Sequence, residues 1–148
     1  MSHRRHPDYV YILVFMKSDC YSTSIRSATR KITAMYDAAL QPAGVNIAQL
    51  ALLRRLSDTT ALSVEELARA AELERSTVTR NVRVLEKQGL VQIGESEKDR
   101  RTVNILLTPR GVDTLRLSGP LWDAAQRRFE EQIGVENAKA LRSLLHAV

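Results

Sequence analysis

Cysteine is almost missing from this chain: a single thiol, Cys20, stands among 148 residues. A lone thiol closes no internal disulfide, and without a cysteine pair there is no zinc spacing, so the reading is a protein of the reducing cytoplasm with no metal. Aromatic residues make up only 5%. Packing therefore has to come from Leu, Ala and Val stripes on helices, which favours a mainly α fold. Histidine is scarce too, with His3, His6 and His146 all near the termini, where acid–base work in a formed cleft is hard to build. No Gly-rich phosphate loop, nucleophile elbow or metal-ligand spacing appears, which weighs against an enzyme and against a cofactor. The longest apolar run, residues 9–16, follows Arg4 and Arg5 as in a signal peptide. Eight residues are too few to span a bilayer, and Lys17 and Asp19 sit where a cleavage site needs small neutral side chains. No membrane role is expected; the run should pack against a neighbouring helix or a second copy of the chain.

What is present is positive charge. Lys and Arg number 22 against 17 Asp and Glu, for a net +5 and a pI near 9.7. Such an excess attracts polyanions, phosphate backbones and anionic membrane surfaces being the usual two. The charge is unevenly spread. Residues 1–31 hold six basic and two acidic side chains, so an N-terminal arm, 1–18, is placed either to add phosphate contacts or to remain a solvated tail.

From 19 to 40 there is no Gly or Pro, and Ile25, Ala28, Ile32, Met35 and Ala39 recur at helical spacing: a long first helix. Gln41-Pro42-Ala43-Gly44 stops it, and Asn46 with Gln49 caps the next helix, whose stripe is Ile47, Leu50, Leu53 and Leu56. Ser63-Val64-Glu65-Glu66 is a capping box. A short helix follows with Val64, Leu67, Ala68 and Ala71 on one face. The turn Ala71-Glu72-Leu73-Glu74 leads into another helix starting near Arg75, and two short helices about a tight turn make a helix-turn-helix.

In that second helix Val78, Val82 and Leu85 share one side. Arg75, Ser76, Thr77, Thr79, Arg80 and Arg83 supply hydroxyls and guanidiniums suited to base edges and phosphates, making this the candidate recognition helix; an ordinary solvated face is the alternative. Gly89 ends it, and Val91 and Ile93 begin a strand whose partner is 102–107. The hairpin tip between them, 94–101, carries three basic and three acidic residues. It reads as a wing, with Arg100, flanked by Lys98 and Arg101, placed to enter a minor groove and Asp99 placed to pair with Arg101 and stiffen the tip; a charged solvated hairpin is the plain alternative. Residues 72–101 hold seven basic and six acidic side chains, a net of only +1, so placement rather than bulk charge must provide affinity.

Thr108-Pro109 marks a sharp helix start. Leu115, Trp122, Ala125 and Phe129 run along one helix, Gly134 interrupts, and Ala138, Leu141 and Leu145 mark another. These stripes exceed what a small winged helix needs for its own core, so the two ends of the chain are expected to build a homodimer interface. The expected architecture is a mainly α fold with a small β-hairpin wing: a winged helix-turn-helix at 45–108 flanked by dimerisation helices at 19–44 and 109–148.

The order and spacing of Leu67-Ala68, Arg75-Ser76-Thr77-Val78-Thr79-Arg80, Leu85-Glu86-Lys87-Gln88-Gly89-Leu90-Val91, Asp99-Arg100-Arg101 and Leu107-Thr108-Pro109-Arg110-Gly111 resemble the MarR family of transcriptional regulators. The resemblance implies a homodimer on a pseudo-palindromic operator in double-stranded DNA, most often repressing, and released by a small phenolic or carboxylate ligand or by cysteine oxidation. Its ligand pocket would draw on Arg26, Arg30 and Tyr36, although Arg26 and Arg30 could equally meet Asp37 or solvent. Matching Arg30-x-x-Thr33-x-x-Tyr36 to the peroxide-sensing branch puts the reactive position on Ser22 rather than Cys20 and the second supporting tyrosine on Ile47, so Cys20 reads as an unreactive helix thiol more readily than a redox sensor. A winged helix adapted to a protein partner would call for an acidic or apolar recognition face; Arg80, Arg83 and Arg100 oppose it.

Overall fold

Three helix starts in this chain are set by polar side chains at the N-cap. Asn46 Oδ1 accepts from the Gln49 N–H at 2.8 Å while Gln49 Oε1 accepts from the Asn46 N–H at 3.0 Å. Ser63 and Glu66 form the same reciprocal box. Thr108 Oγ1 accepts from the Gly111 N–H at 3.0 Å, with Pro109 in the first turn. Each satisfies amides that the first helical turn leaves without intrahelical partners.

The computed structural model describes residues 20–59, 61–95 and 103–148. Helix α1 is Tyr21–Leu40, followed by a 3-10 turn, Gln41–Ala43, and α2, Ile47–Ser57. A strand β1, Leu62–Ser63, precedes α3, Val64–Ala71, and α4, Arg75–Lys87. Strands β2, Val91–Glu95, and β3, Val103–Leu107, lead to α5, Pro109–Ile133, and α6, Val135–His146. The sheet has three antiparallel strands in the order β1-β3-β2, with Leu62 and Ile93 both opposite Ile105. The sequence reading supplied only two strands. β1 is two residues long, and its partner is some forty residues on, so no local alternation announces it.

The chain divides into two compact units inside α1, after Ala34. In the second, Met35–Val148, the core joins Leu40, Leu50, Leu53, Leu56, Leu67, Val78, Val82, Leu85 and Ile105. The stripe expected on α2 is buried at Leu50, Leu53 and Leu56 and half-buried at Ile47, but Leu52 and Gln49 are buried as well. The cause is geometric: α2 touches α3, α4, α5 and β3, and a helix with neighbours on several sides has no single inward face. On β3 Ile105 is fully buried, whereas Val103 is 47% exposed.

Gly44 closes the 3-10 turn at φ 72°, a left-handed backbone that glycine adopts without steric cost, and its N–H donates to Gln41 O. Gly111 is needed for a different reason: a Cβ there would lie 2.2 Å from the Leu90 carbonyl oxygen. The helix-turn-helix bend is made by Glu72, in the left-handed region at φ 53°. No helix among the described residues is long and apolar enough to cross a membrane.

Candidate nucleic-acid interface

Val78, Val82 and Leu85 are buried at intervals of four and three residues and turn one side of α4 into the core. The other side is therefore fixed: Arg75, Ser76, Arg80 and Arg83 are exposed, with Thr77 and Thr79 half-buried. Six candidate side chains thus share one short helix, as its periodicity requires. Two hydroxyl and amide groups are already engaged with the backbone one turn earlier. Thr79 Oγ1 donates to Arg75 O at 2.9 Å, and Asn81 Nδ2 donates to Thr77 O at 3.0 Å. Thr79 consequently keeps acceptor lone pairs and a methyl group for any outside partner.

Arg75 opens α4 and reaches back to Glu65 on α3, at 3.0 Å. Both side chains are well exposed, so the pair is solvent-screened and easily exchanged. Sequence reasoning missed Glu65; its place two residues into a capped helix is the signal that could have found it. The wing-tip candidates Lys98, Asp99, Arg100 and Arg101, and the arm 1–18, lie outside the described residues.

The candidate effector residues divide. Arg26 and Arg30 are exposed on α1. Tyr36 is half-buried, and its hydroxyl donates to Gln126 Oε1 on α5. Gln126 Nε2 in turn donates to Glu130, which Arg142 of α6 also reaches at 3.4 Å. Burial, then the nearby Glu130 carboxylate, push the Tyr36 phenol above its ordinary value, and Arg142 partly offsets them. Cys20 is exposed; the Thr23 amide and hydroxyl, and the Ser22 amide, hold its thiol below the usual value.

A cavity of about 290 Å³ lies between α2 and α5, lined by Leu50, Arg54, Leu115, Gly119, Trp122 and Asp123. The Arg54 guanidinium stands over the Trp122 ring, 5.3 Å from its centroid, a cation–π arrangement. Neither Arg54 nor Trp122 was singled out as a site residue from sequence, because they are 68 positions apart and only the packing of α2 on α5 joins them.

Known proteins share this fold. The family model described as MarR family matches residues 45–103, from two residues before α2 to the first residue of β3. The HTH-type transcriptional repressor MdtR of Bacillus subtilis is 32% identical over 88 residues, 60% of this chain and 57% of MdtR, so the chain spans little more than half of that relative. The M. tuberculosis transcriptional regulator MosR, solved in complex with DNA, is 30% identical, superposes with a TM-score of 0.74, and is matched over 87% of this chain and 96% of its own. BpsR of Bordetella bronchiseptica, a protein whose DNA binding is regulated by 6-hydroxynicotinic acid, shares the fold at 21% identity and a TM-score of 0.80, over 88% of this chain and 94% of its own.

Proposed function

Because the chain belongs to the MarR family, we propose that it is a sequence-specific transcriptional regulator, a homodimer that sets one α4 into each half of a pseudo-palindromic operator and represses until an effector releases it. The observation that carries the reading is the arginine face of α4, exposed at Arg75, Arg80 and Arg83 while Val78, Val82 and Leu85 hold the helix to the core. Half-sites about 34–36 Å apart would admit both recognition helices on one side of the duplex. Arg100 is assigned to the minor groove, Lys98 and Arg101 to DNA contacts beside it, and Asp99 to pairing with Arg101 and stiffening that wing. The helices α1, α5 and α6 are assigned to dimerisation, supported by apolar side chains left exposed on them, Tyr21, Ile25 and Leu144 among them. The DNA complex of MosR supports the polyanion partner. A cytoplasmic location follows from work on DNA, and catalysis and cofactors form no part of the role.

A gel shift titrated with salt, using the DNA upstream of the protein's own gene and unrelated duplex as competitor, tests this. The expected shift survives competitor at two chains per site, and Arg80→Ala weakens it by roughly 1–3 kcal/mol while leaving the dimer intact. Equal affinity for every duplex would remove the reading.

For the effector, the α2–α5 cavity offers apolar walls, the Arg54 guanidinium beside an aromatic face and the Asp123 carboxylate, a setting for a small phenol, or for an aromatic carboxylate seated on Arg54 and away from Asp123. Tyr36, Arg26 and Arg30 are not among the residues lining this cavity and stand as a separate proposal for effector contacts. Trp122 is the chain's one tryptophan, so its fluorescence reports occupancy directly. Hydroxybenzoate should change it saturably and Arg54→Ala should abolish the change; a linear, unsaturable response would clear the cavity of this role.

A further inference from the structure

The recognition helix ends on a residue that no part of the DNA-binding face uses. Gln88 directly follows α4, and its Nε2 donates to Gly44 O at 3.2 Å, across 44 positions of sequence. Gly44 is the left-handed residue of the elbow between α1 and α2. That elbow is tied on its other sides as well. Asp37 Oδ1 accepts from the Ile47 N–H at 2.8 Å, fixing the start of α2 to the end of α1, and Tyr36 donates to Gln126 on α5. One residue past Gln88, a second tie begins: Thr108 Oγ1 donates to Gly89 O at 2.7 Å and the Thr108 N–H to Leu90 O at 3.1 Å, joining the same end of α4 to the root of α5.

The opposite end of α4 is held differently. Glu74 gives it no side-chain cap, and Arg75 makes an exposed ion pair. Among the described residues, the side-chain hydrogen bonds from α4's ends to other elements therefore lie at the C-terminal end, while the end toward DNA is held by Val78 in the core and the turn before it. Thirteen helical residues make a lever of roughly 20 Å, over which a tilt of about 5° moves the far end by nearly 2 Å.

Gln88 is also an odd choice for stability alone. Its Oε1 is buried with no hydrogen-bond partner among the described residues, and a buried acceptor left unpaired offsets what the single bond from Nε2 contributes. The amide cannot be turned to relieve this, because Oε1 would then face the Gly44 carbonyl oxygen. An apolar side chain of equal length would pack there without that cost.

We propose that Gln88 is a positioning residue, whose bond to Gly44 sets the angle of the recognition helix against the α1–α2 elbow and thereby the spacing of half-sites that the dimer accepts. The assignment rests on the DNA-binding reading above and adds a route by which a change at Tyr36 or the elbow reaches α4 without crossing the core.

The test uses the full chain and a duplex that the wild-type protein selects from a random pool, together with versions of it one base pair longer or shorter between half-sites. Gln88→Met removes the donor at nearly constant length; Gln88→Lys keeps one. Gln88→Met is expected to melt within about 3 °C of wild type and to hold non-specific duplex equally well. It should bind the selected duplex about tenfold more weakly and lose most of the preference for native spacing, and Gln88→Lys should restore that preference. Unchanged affinity and spacing preference in Gln88→Met would overturn the proposal. So would losses on every duplex in step with a lower melting temperature, which would make Gln88 merely structural. A wild-type protein that selects no duplex would overturn the DNA-binding reading as well, so the two failures can be told apart.

Discussion

Arg75 meets a carboxylate before it meets any phosphate. In the free protein its guanidinium lies 3.0 Å from Glu65, so closing on DNA requires exchanging one anion for another, and Glu65 remains nearby as a repulsive charge. Glu65→Gln is expected to raise affinity for unrelated duplex, because the competing carboxylate is gone; an unchanged affinity would show that Arg75 makes no backbone contact. Tyr36 carries a different signature. Its phenol is raised in the folded chain, so its contribution is fully present below the ordinary phenol value of 10.0 and is lost as pH climbs through the higher folded value. Tyr36→Phe should therefore flatten the decline of denaturant midpoint above pH 10, and an identical alkaline limb in both proteins would mean that neither burial nor Glu130 holds the phenol neutral. The caps at Asn46, Ser63 and Thr108 were legible in the sequence because donor and acceptor lie three positions apart. Glu65 opposite Arg75, Gln126 opposite Tyr36 and Gly44 opposite Gln88 were not, since each pairing exists only after helices have docked.

Among the elements, α5 is the one whose seating leaves least room. Its first turn rests on the end of the recognition segment, with the Gly111 α-carbon against Leu90 O and the Leu107 side chain. Gly111→Ala would force a Cβ to 2.2 Å from a backbone oxygen, and since that carbonyl is already engaged by the Thr108 amide it has little freedom to yield. A loss of about 3 kcal/mol is expected, read as a lower denaturant midpoint; a shift under about 0.5 kcal/mol would mean that α5 slides freely. Periodicity found every helix of the winged-helix segment. It understated α2, where Leu52 and Gln49 are buried outside the predicted stripe, because periodicity assumes one core side and α2 has several neighbours. It also passed over Pro120, which sits inside α5 and is exposed there, so the apolar pattern ran on undisturbed.

At the scale of the whole molecule, the unspent apolar surface points to assembly. Leu144 is 67% exposed on α6 and Tyr21 85% on α1, on helices that a lone winged helix does not need. Leu144→Glu should shift sedimentation from dimer toward monomer at micromolar concentration and, with one reading head per particle, reduce operator binding by more than tenfold. A variant that stays dimeric would move the interface elsewhere on these helices. Two-fold symmetry also gives the Thr79 hydroxyl a consequence in the DNA. Having given its proton to the Arg75 carbonyl, it can take a hydrogen bond from an exocyclic amino group or cover a thymine methyl, but it cannot donate to a guanine edge, which offers only acceptors. If Thr79 reads a base in the proposed complex and keeps that bond, adenine, cytosine or thymine is favoured before it, and two-fold symmetry would repeat the preference in the other half-site.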